Sequence, residues 1–411
     1  MPDPGRAIHL DRRPSPLRRA CWWLLGAALG AAWLAWATLD RADANTPAPA
    51  LDRPAAQSAA PTVAGASAPA PFSAEGERAR QAQHALWLRR LELAQDTLES
   101  YRRATRYPGF SQPMARHADQ AYPDRPIEEE HLLSDGKDGN RVSLRTSQER
   151  IFVQGDESVR FTVSARDGAG QVVPLRIVRA SARELTAPGS GSLYPVVPLA
   201  FNDEGSQGDD AAGDGTFSVR LQPRTDGFAG LFGQIRVDAV LQVRGEHGET
   251  YFDILYTSEP PAVWQGGVRE ALEDGSLNFY LKAAVKEAGR YVVHGRVDDA
   301  NGVPVALVSF NEEVPQGAQE FRLTMFGALI RDEKPAFPLV LRDVDAFLLR
   351  PDTFPDRSMM SRRSGKVHAS QDYALDSFSA AEWNGEERAR YLAELGKDVA
   401  SAKAQVDRLA R

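Results

Sequence analysis

Hydrophobic spacing changes character several times along the chain, and each change predicts an element. From Cys21 to Leu39 nineteen consecutive residues carry no charge, with Trp22, Trp23, Trp33 and Trp36 towards the two ends. At about 1.5 Å per residue a helix of this length spans roughly 28 Å, close to a bilayer's hydrocarbon core. Residues 73–106 then follow a helical period. Trp87, Leu91, Ala94, Leu98 and Tyr101 alternate steps of four and three, Ser73 is placed to cap the start, and Pro108-Gly109 stops it. Residues 107–139, Pro-rich and polar, have no clear period, and predict an irregular strap over a neighbouring domain.

From about Val142 the period becomes two, as in a half-buried strand. Strands are predicted at 158–165, 172–178, 216–221, 234–243 and 250–256, with a hairpin tip at Gly245-Glu246-His247-Gly248. Pro260-Pro261 marks a boundary, after which 277–284, 290–297, 304–310, 320–324, 339–341 and 346–349 read as strands. The expected fold class is therefore mainly β: two tandem immunoglobulin-like antiparallel sandwiches, 140–258 and 259–350, with flanking helices and one N-terminal transmembrane helix. Ala165–Pro174 resembles Gly295–Pro304, each a strand, an Asp/Gly/Asn turn and a strand. This is a weak internal repeat, and any β-hairpin draws on the same residues. A linker and a helix make up 351–411. Ser379 and Glu382 form a capping-box pattern, and Leu392, Leu395, Val399, Ala402, Val406 and Leu409 make a seam. Its partner is either the helix carrying Trp87 or the same helix of a second subunit.

Charge gives the apolar run a direction. Residues 1–20 form a basic arm with five Arg against two Asp; of the formal charge of −7, the part after residue 39 carries −10. Arg just before an apolar run keeps the N-terminus cytoplasmic, so everything after Asp40 is expected in the periplasm of a bacterial envelope, held at the inner membrane by residues 21–39. The alternative is secretion after cleavage near Ala44, within the small-x-small triplet Ala42-Asp43-Ala44. Residues 40–72, rich in Ala and Pro, form a spacer. An acidic total argues against nucleic acid as a partner. The single Cys excludes an internal disulfide framework and a Cys-based zinc cage.

Candidate chemistry is concentrated in one place. Asn202 to Gly215 holds five acidic residues and four Gly immediately before a strand. Carboxylates so close repel unless they bind a cation or spread into solvent, and Gly lets oxygens converge, as Ca²⁺ requires. Asp203, Asp209 and Asp214, each with a Gly close by, are the candidate ligands. No EF-hand pattern is present, and a metal-free series of Asx turns is the competing reading. Elsewhere there is no Gly-x-Ser-x-Gly elbow or phosphate loop, and the seven His are scattered. Glu128-Glu129-Glu130-His131 reads as a solvated charge run, His294 as a structural strand histidine, and Arg357, Arg362, Arg363 and Lys366 as a basic surface loop.

The stretches Asp203-Glu204-Gly205, Gly208-Asp209 and Ala212-Gly213-Asp214-Gly215-Thr216-Phe217, with 295–302 and 341–349, resemble the bacterial choice-of-anchor X group. Its members are exported immunoglobulin-like proteins that differ in how they attach to the envelope. The likeness covers about 140–350. It implies an exported module whose anchor here would be the N-terminal helix, and attaches no biochemical role. With the missing enzyme signatures, the expected protein is a non-enzymatic, membrane-anchored one that presents its domains to another envelope protein; calcium bound by the Asp/Gly loop would stiffen the first sandwich, and the seam of the last helix leaves it open to self-association. Two other classes compete. A carbohydrate-binding module would need Tyr194, Phe228, Phe232 and Trp264 on one open face. A hydrolase would need buried acidic or His side chains converging at the domain junction.

Overall fold

A computed structural model describes residues 74–135, 141–187 and 189–410. The expected basic arm, membrane helix, linker, Ala44 cleavage site and Ser73 cap all lie outside them. Among the described residues no helix is long and apolar enough to cross a membrane. The chain divides into two compact units, Met1–Ala85 and Leu86–Arg411. Of the first, the structure describes only the start of the first helix; the second holds every strand.

The described chain is mainly β, in four sheets. In order, the strands are β1 (Ser111–Pro113), β2 (Ile127–Asp135), β3 (Arg141–Gln148), β4 (Phe152–Gln154), β5 (Val159–Asp167), β6 (Val172–Val173), β7 (Leu175–Glu184), β8 (Val197–Leu199), β9 (Thr216–Leu221), β10 (Phe232–Val243), β11 (Glu246–Thr257) and β12 (Ala262–Glu273). There follow β13 (Ser276–Val285), β14 (Gly289–Asp298), β15 (Pro304–Val314), β16 (Gly317–Met325), β17 (Val340–Leu349), β18 (Arg357–Met359) and β19 (Arg363–Ala369). The helices are α1 (Ala74–Ala104), α2 (Gly327–Glu333) and α3 (Glu386–Leu409).

Two cores separate the sheets into two sandwich-like units. In the first, β2-β3-β5-β6, with β9 also on β5, faces β4-β11-β10-β7-β8. Alternate residues of both sheets (Leu144, Phe161, Val163 and Leu221 against Ile235, Val237, Ile254 and Tyr256) fill the space between them. A side-chain period of two allows one face to be apolar while the other stays wet. In the second unit β12-β13-β16 faces β1-β15-β14-β17-β18, with β19 also on β17. Phe279, Leu281, Tyr291, Phe321, Leu323 and Leu341 dominate its core.

Several boundaries differ from the sequence reading. The 245–248 tip is tighter than expected, because β11 starts at Glu246 and only Arg244-Gly245, both at positive φ, turn the chain. The two segments 339–341 and 346–349 are one strand, β17, with an irregularity where Asp343 takes φ +46°. Strand β12 and helix α2 were not expected; exposed polar residues along β12 blur its alternation. The basic residues 357–366 are not a loop. They lie in or beside β18 and β19, and are held by pairing with β17. Ser379 and Glu382 do not cap a helix, since α3 begins at Glu386 with Gly385 as N-cap. Glu382 is instead occupied by Arg106 and Arg388. The segment 107–126 runs over the second unit: β1 pairs with β15, and Arg296 and Arg342 donate to the carbonyls of Gln120 and Ala121.

The internal repeat has a structural counterpart, displaced by two residues from the sequence alignment. Asp167 N–H donates to Gln171 O and Gly170 N–H to Asp167 O; Asp299 N–H donates to Val303 O and Gly302 N–H to Asp299 O. Both Asp side chains cap the amides two and four residues on.

Candidate functional site

The acidic loop connects β8 to β9. It is pinned at its base by Asn202, whose backbone pairs both ways with Ser218. Gly205, Gly208, Gly213 and Gly215 all take positive φ, so the chain turns four times within eleven residues. Gly215 has a second reason to lack a side chain: a Cβ there would lie 2.3 Å from Val172 Cγ1.

These turns bring the three expected residues together. One carboxylate oxygen from each of Asp203, Asp209 and Asp214 lies within 4.8 Å of the others. Asp209 is buried, Asp203 half-buried and Asp214 exposed. Each also accepts from the loop itself. Asp203 Oδ1 and Oδ2 take the N–H groups of Asp214 and Gly215, both at 3.1 Å. Asp209 Oδ2 takes Gly205 N–H at 2.7 Å and its Oδ1 takes the Ser218 hydroxyl at 3.2 Å. Asp214 Oδ1 takes Thr216 N–H at 2.7 Å. Arg160 approaches from β5, donating to Gly208 O and Asp210 Oδ1 at 3.1 and 2.7 Å. It neutralises the neighbouring Asp210, and no guanidinium bond to the three clustered carboxylates is present among the described residues. The donor set is oxygen alone. That chemistry suits a hard cation such as Ca²⁺ over zinc or a soft metal, though a full Ca²⁺ shell of six to eight oxygens would need carbonyls or water besides. Side-chain bonds to the amides of Glu204, Gly205, Asp214, Gly215 and Thr216 also hold the loop without an ion, so the geometry accommodates both sequence readings.

The other candidates fall elsewhere. Glu128–His131 forms part of edge strand β2, where His131 bonds Glu129 at 2.8 Å and Glu130 faces Arg145 at 3.4 Å. The Ser143 hydroxyl, and then Arg145, lower the Glu130 pKa. The four aromatic rings do not share a face. Phe228 is fully buried in the first core with Tyr194 beside it; Trp264 packs on Phe321 in the second and donates to Ser361 O; Phe232 lies under Arg350. At the junction of the two β units the contacts include Met359 N–H to the Thr257 hydroxyl, Ser361 to Gln154, Arg357 over Phe152 and Arg350 over Phe232.

A buried ionic cluster in the second unit was not anticipated. His294, Arg296 and Asp298 alternate with core residues on β14, and Arg342, Asp343 and Asp345 lie on neighbouring β17. Arg296 pairs with Asp345, as does His294 at 3.4 Å; Arg342 bonds Asp298 at 2.5 Å and Asp343 at 2.7 Å. Burial alone would raise the Asp345 pKa, but the His294 hydrogen bond and the Arg296 charge hold it far below the usual carboxylate range. The sequence signal was polar residues at alternate positions of an otherwise apolar strand, which also describes any wet sheet face.

No family model and no curated protein matches the chain. Among solved structures it is similar to a DUF4785 family protein from Legionella pneumophila, at 14% identity and TM-score 0.36, over 55% of this chain and 57% of that one. The chain thus spans little more than half of that protein's length. It is also similar to bovine butyrophilin, at 10% identity and TM-score 0.18, over 49% and 88% of the two chains. Scores this low carry no argument about function.

Proposed function

We propose that the chain is a non-enzymatic, membrane-anchored envelope protein of the choice-of-anchor X type. Residues 21–39 hold it in the inner membrane, and two immunoglobulin-like sandwiches stand in the periplasm for recognition by another protein. The observation that carries this reading is the pair of sandwich-like units with separate cores, joined by backbone and side-chain contacts and set behind a charge-partitioned N-terminus. The immunoglobulin-like reading of the sandwiches gains support from Tyr291. Its hydroxyl, at the start of β14, donates to Glu287 O four residues upstream at 2.7 Å, the kind of bond a tyrosine corner makes. The dispersal of the aromatic rings gives the stacking-platform reading no support. The junction contacts made by Gln154, Thr257, Ser361, Arg357 and Arg350 lend the hydrolase reading no support. In-cell crosslinking of the anchored protein tests the proposal: one dominant envelope protein captured through residues 140–350 supports it, and the absence of any specific adduct contradicts it.

Within this reading Asp203, Asp209 and Asp214 hold Ca²⁺ as a stiffener of the first unit. Extracellular Ca²⁺ sites bind at about 10⁻⁴–10⁻³ M, so several millimolar Ca²⁺ should add about 1–2 kcal/mol of stability. A thermal shift of a few degrees, lost in Asp209→Ala with Asp214→Ala, is expected. Identical melting with and without the ion would leave the loop as metal-free Asx turns.

A further inference from the structure

We propose that Asn384 is a site of spontaneous deamidation, through which the joint between the second β unit and α3 acquires a carboxylate over time. The chain contains two Asn-Gly pairs, Asn301-Gly302 and Asn384-Gly385. In this dipeptide the backbone amide attacks the preceding side chain most readily, because glycine puts no Cβ beside the attacking nitrogen. Both asparagines are exposed. What separates them is hydrogen bonding.

Asn301 is restrained. Its backbone N–H and its Nδ2 both donate to the Asp299 carboxylate, at 2.8 and 3.2 Å. The Gly302 N–H, whose nitrogen would have to attack, donates to Asp299 O at 3.0 Å. These bonds must open before a ring can close. Asn384 carries no such restraint: among the described residues neither its side chain nor the Gly385 N–H makes a hydrogen bond. Its neighbours are the fixed points. Trp383 N–H donates to Arg106 O at 3.0 Å and Trp383 O accepts from Arg388 at 2.8 Å, while Gly385 O accepts from Ala389 N–H in the first turn of α3.

The fold also keeps the reactive pair in place. A Cβ at residue 385 would lie 2.8 Å from Trp383 Nε1, so the residue after Asn384 has to be glycine. Helix α3 starts at the next residue, and the unpaired N–H groups of its first turn favour the negative charge that develops on the Gly385 nitrogen, an effect that Glu386 and Glu387 reduce. In the reaction Gly385 N gives its proton to a solvent base and attacks Asn384 Cγ; the Cγ–Nδ2 bond breaks, ammonia leaves and a cyclic imide remains. Water then adds at either imide carbonyl, giving aspartate or the isomer with Cβ in the main chain. In sum one side-chain amide and one water become a carboxylate and an ammonium ion.

The test ages the purified full-length protein in mildly alkaline buffer, folded and in denaturant, and follows both Asn-Gly peptides by mass spectrometry after proteolysis. In denaturant the two should react alike. In the folded protein Asn384 should keep most of its denatured-state rate and split into aspartate and isoaspartate products. Asn301 should lag behind it by about tenfold or more, through the need to release two hydrogen bonds. Asn384→Gln, which would have to close a larger ring, should stay unmodified at 384. Asp299→Ala should bring Asn301 towards the rate of Asn384 and leave Asn384 as it was. If Asp299→Ala proves misfolded by its melting curve, the two folded rates of the parent decide alone. The proposal is overturned if folding protects Asn384 as strongly as Asn301, if Asn301 reacts first, or if folded Asp299→Ala leaves Asn301 as slow as before.

Discussion

Asp345 is among the residues most committed to its surroundings. Its carboxylate is shared between Arg296 and His294 inside a covered sheet face, and Arg296 itself is almost wholly buried. Removing one partner of a buried pair leaves an uncompensated charge and typically costs about 3–5 kcal/mol. Asp345→Asn should lower stability by that order in chemical denaturation, whereas Asp96→Asn on exposed α1 should stay within about 0.5 kcal/mol. The pH dependence has a definite sign. Because the folded pKa is depressed below an unfolded value near ~3.9, this stability is present above that pH and lost as pH falls through the folded pKa. Tyrosine gives the opposite test. Burial, and then Asp332 for Tyr107 and Glu287 for Tyr291, push both hydroxyls up to about 12. Their folded form is favoured while neutral, so that contribution is present below about pH 10 and is lost as pH rises through about 12. Ultraviolet titration should show these two ionising after the exposed tyrosines; ionisation of all ten together near pH 10 would contradict the packing.

The helical pair shows what sequence periodicity can and cannot specify. Trp87, Leu91, Ala94, Leu98 and Tyr101 are the less exposed positions of α1, as Leu392, Leu395, Val399, Ala402, Val406 and Leu409 are of α3. Contacts within the chain join the helices: Tyr101 packs on Tyr391 with ring centres 5.8 Å apart, and Arg388 donates to the Thr105 hydroxyl. The two seams were legible because a 3.6-residue repeat writes itself into sequence. The knot that fixes them to the second β unit was not. Arg106 bonds both Asp332 and Glu382, and Glu382 also bonds Arg388, across 226 to 276 positions of sequence for the first two pairs. Charge pairs at such separations leave no local pattern. Strands were similarly readable where alternation was clean, as at β9, and missed at β12, whose exposed side chains hide the period. Leu98→Asp should unzip the pair, lowering helical circular dichroism while leaving β signal intact; unchanged helicity would mean that α3 packs on α1 only at their ends.

At the scale of the whole molecule, one rule separates what sequence revealed from what it did not. The Asp/Gly loop was visible because its ligand-type residues are close in sequence, and folding needed only glycine turns to gather them. The ionic cluster of the second unit was invisible because its members come from two strands and become neighbours only through register. The same division applies to the cores: each sandwich could be foreseen as alternation, but not which sheets would face each other. The proposed function rests on a topology, with the basic arm inside and the β units outside the inner membrane. A reporter active only in the periplasm, fused after residue 72 in intact bacterial cells, tests it most directly. The account predicts activity from that fusion, together with retention in the membrane fraction; a silent fusion, with a cytoplasmic reporter active at the same position, would contradict it.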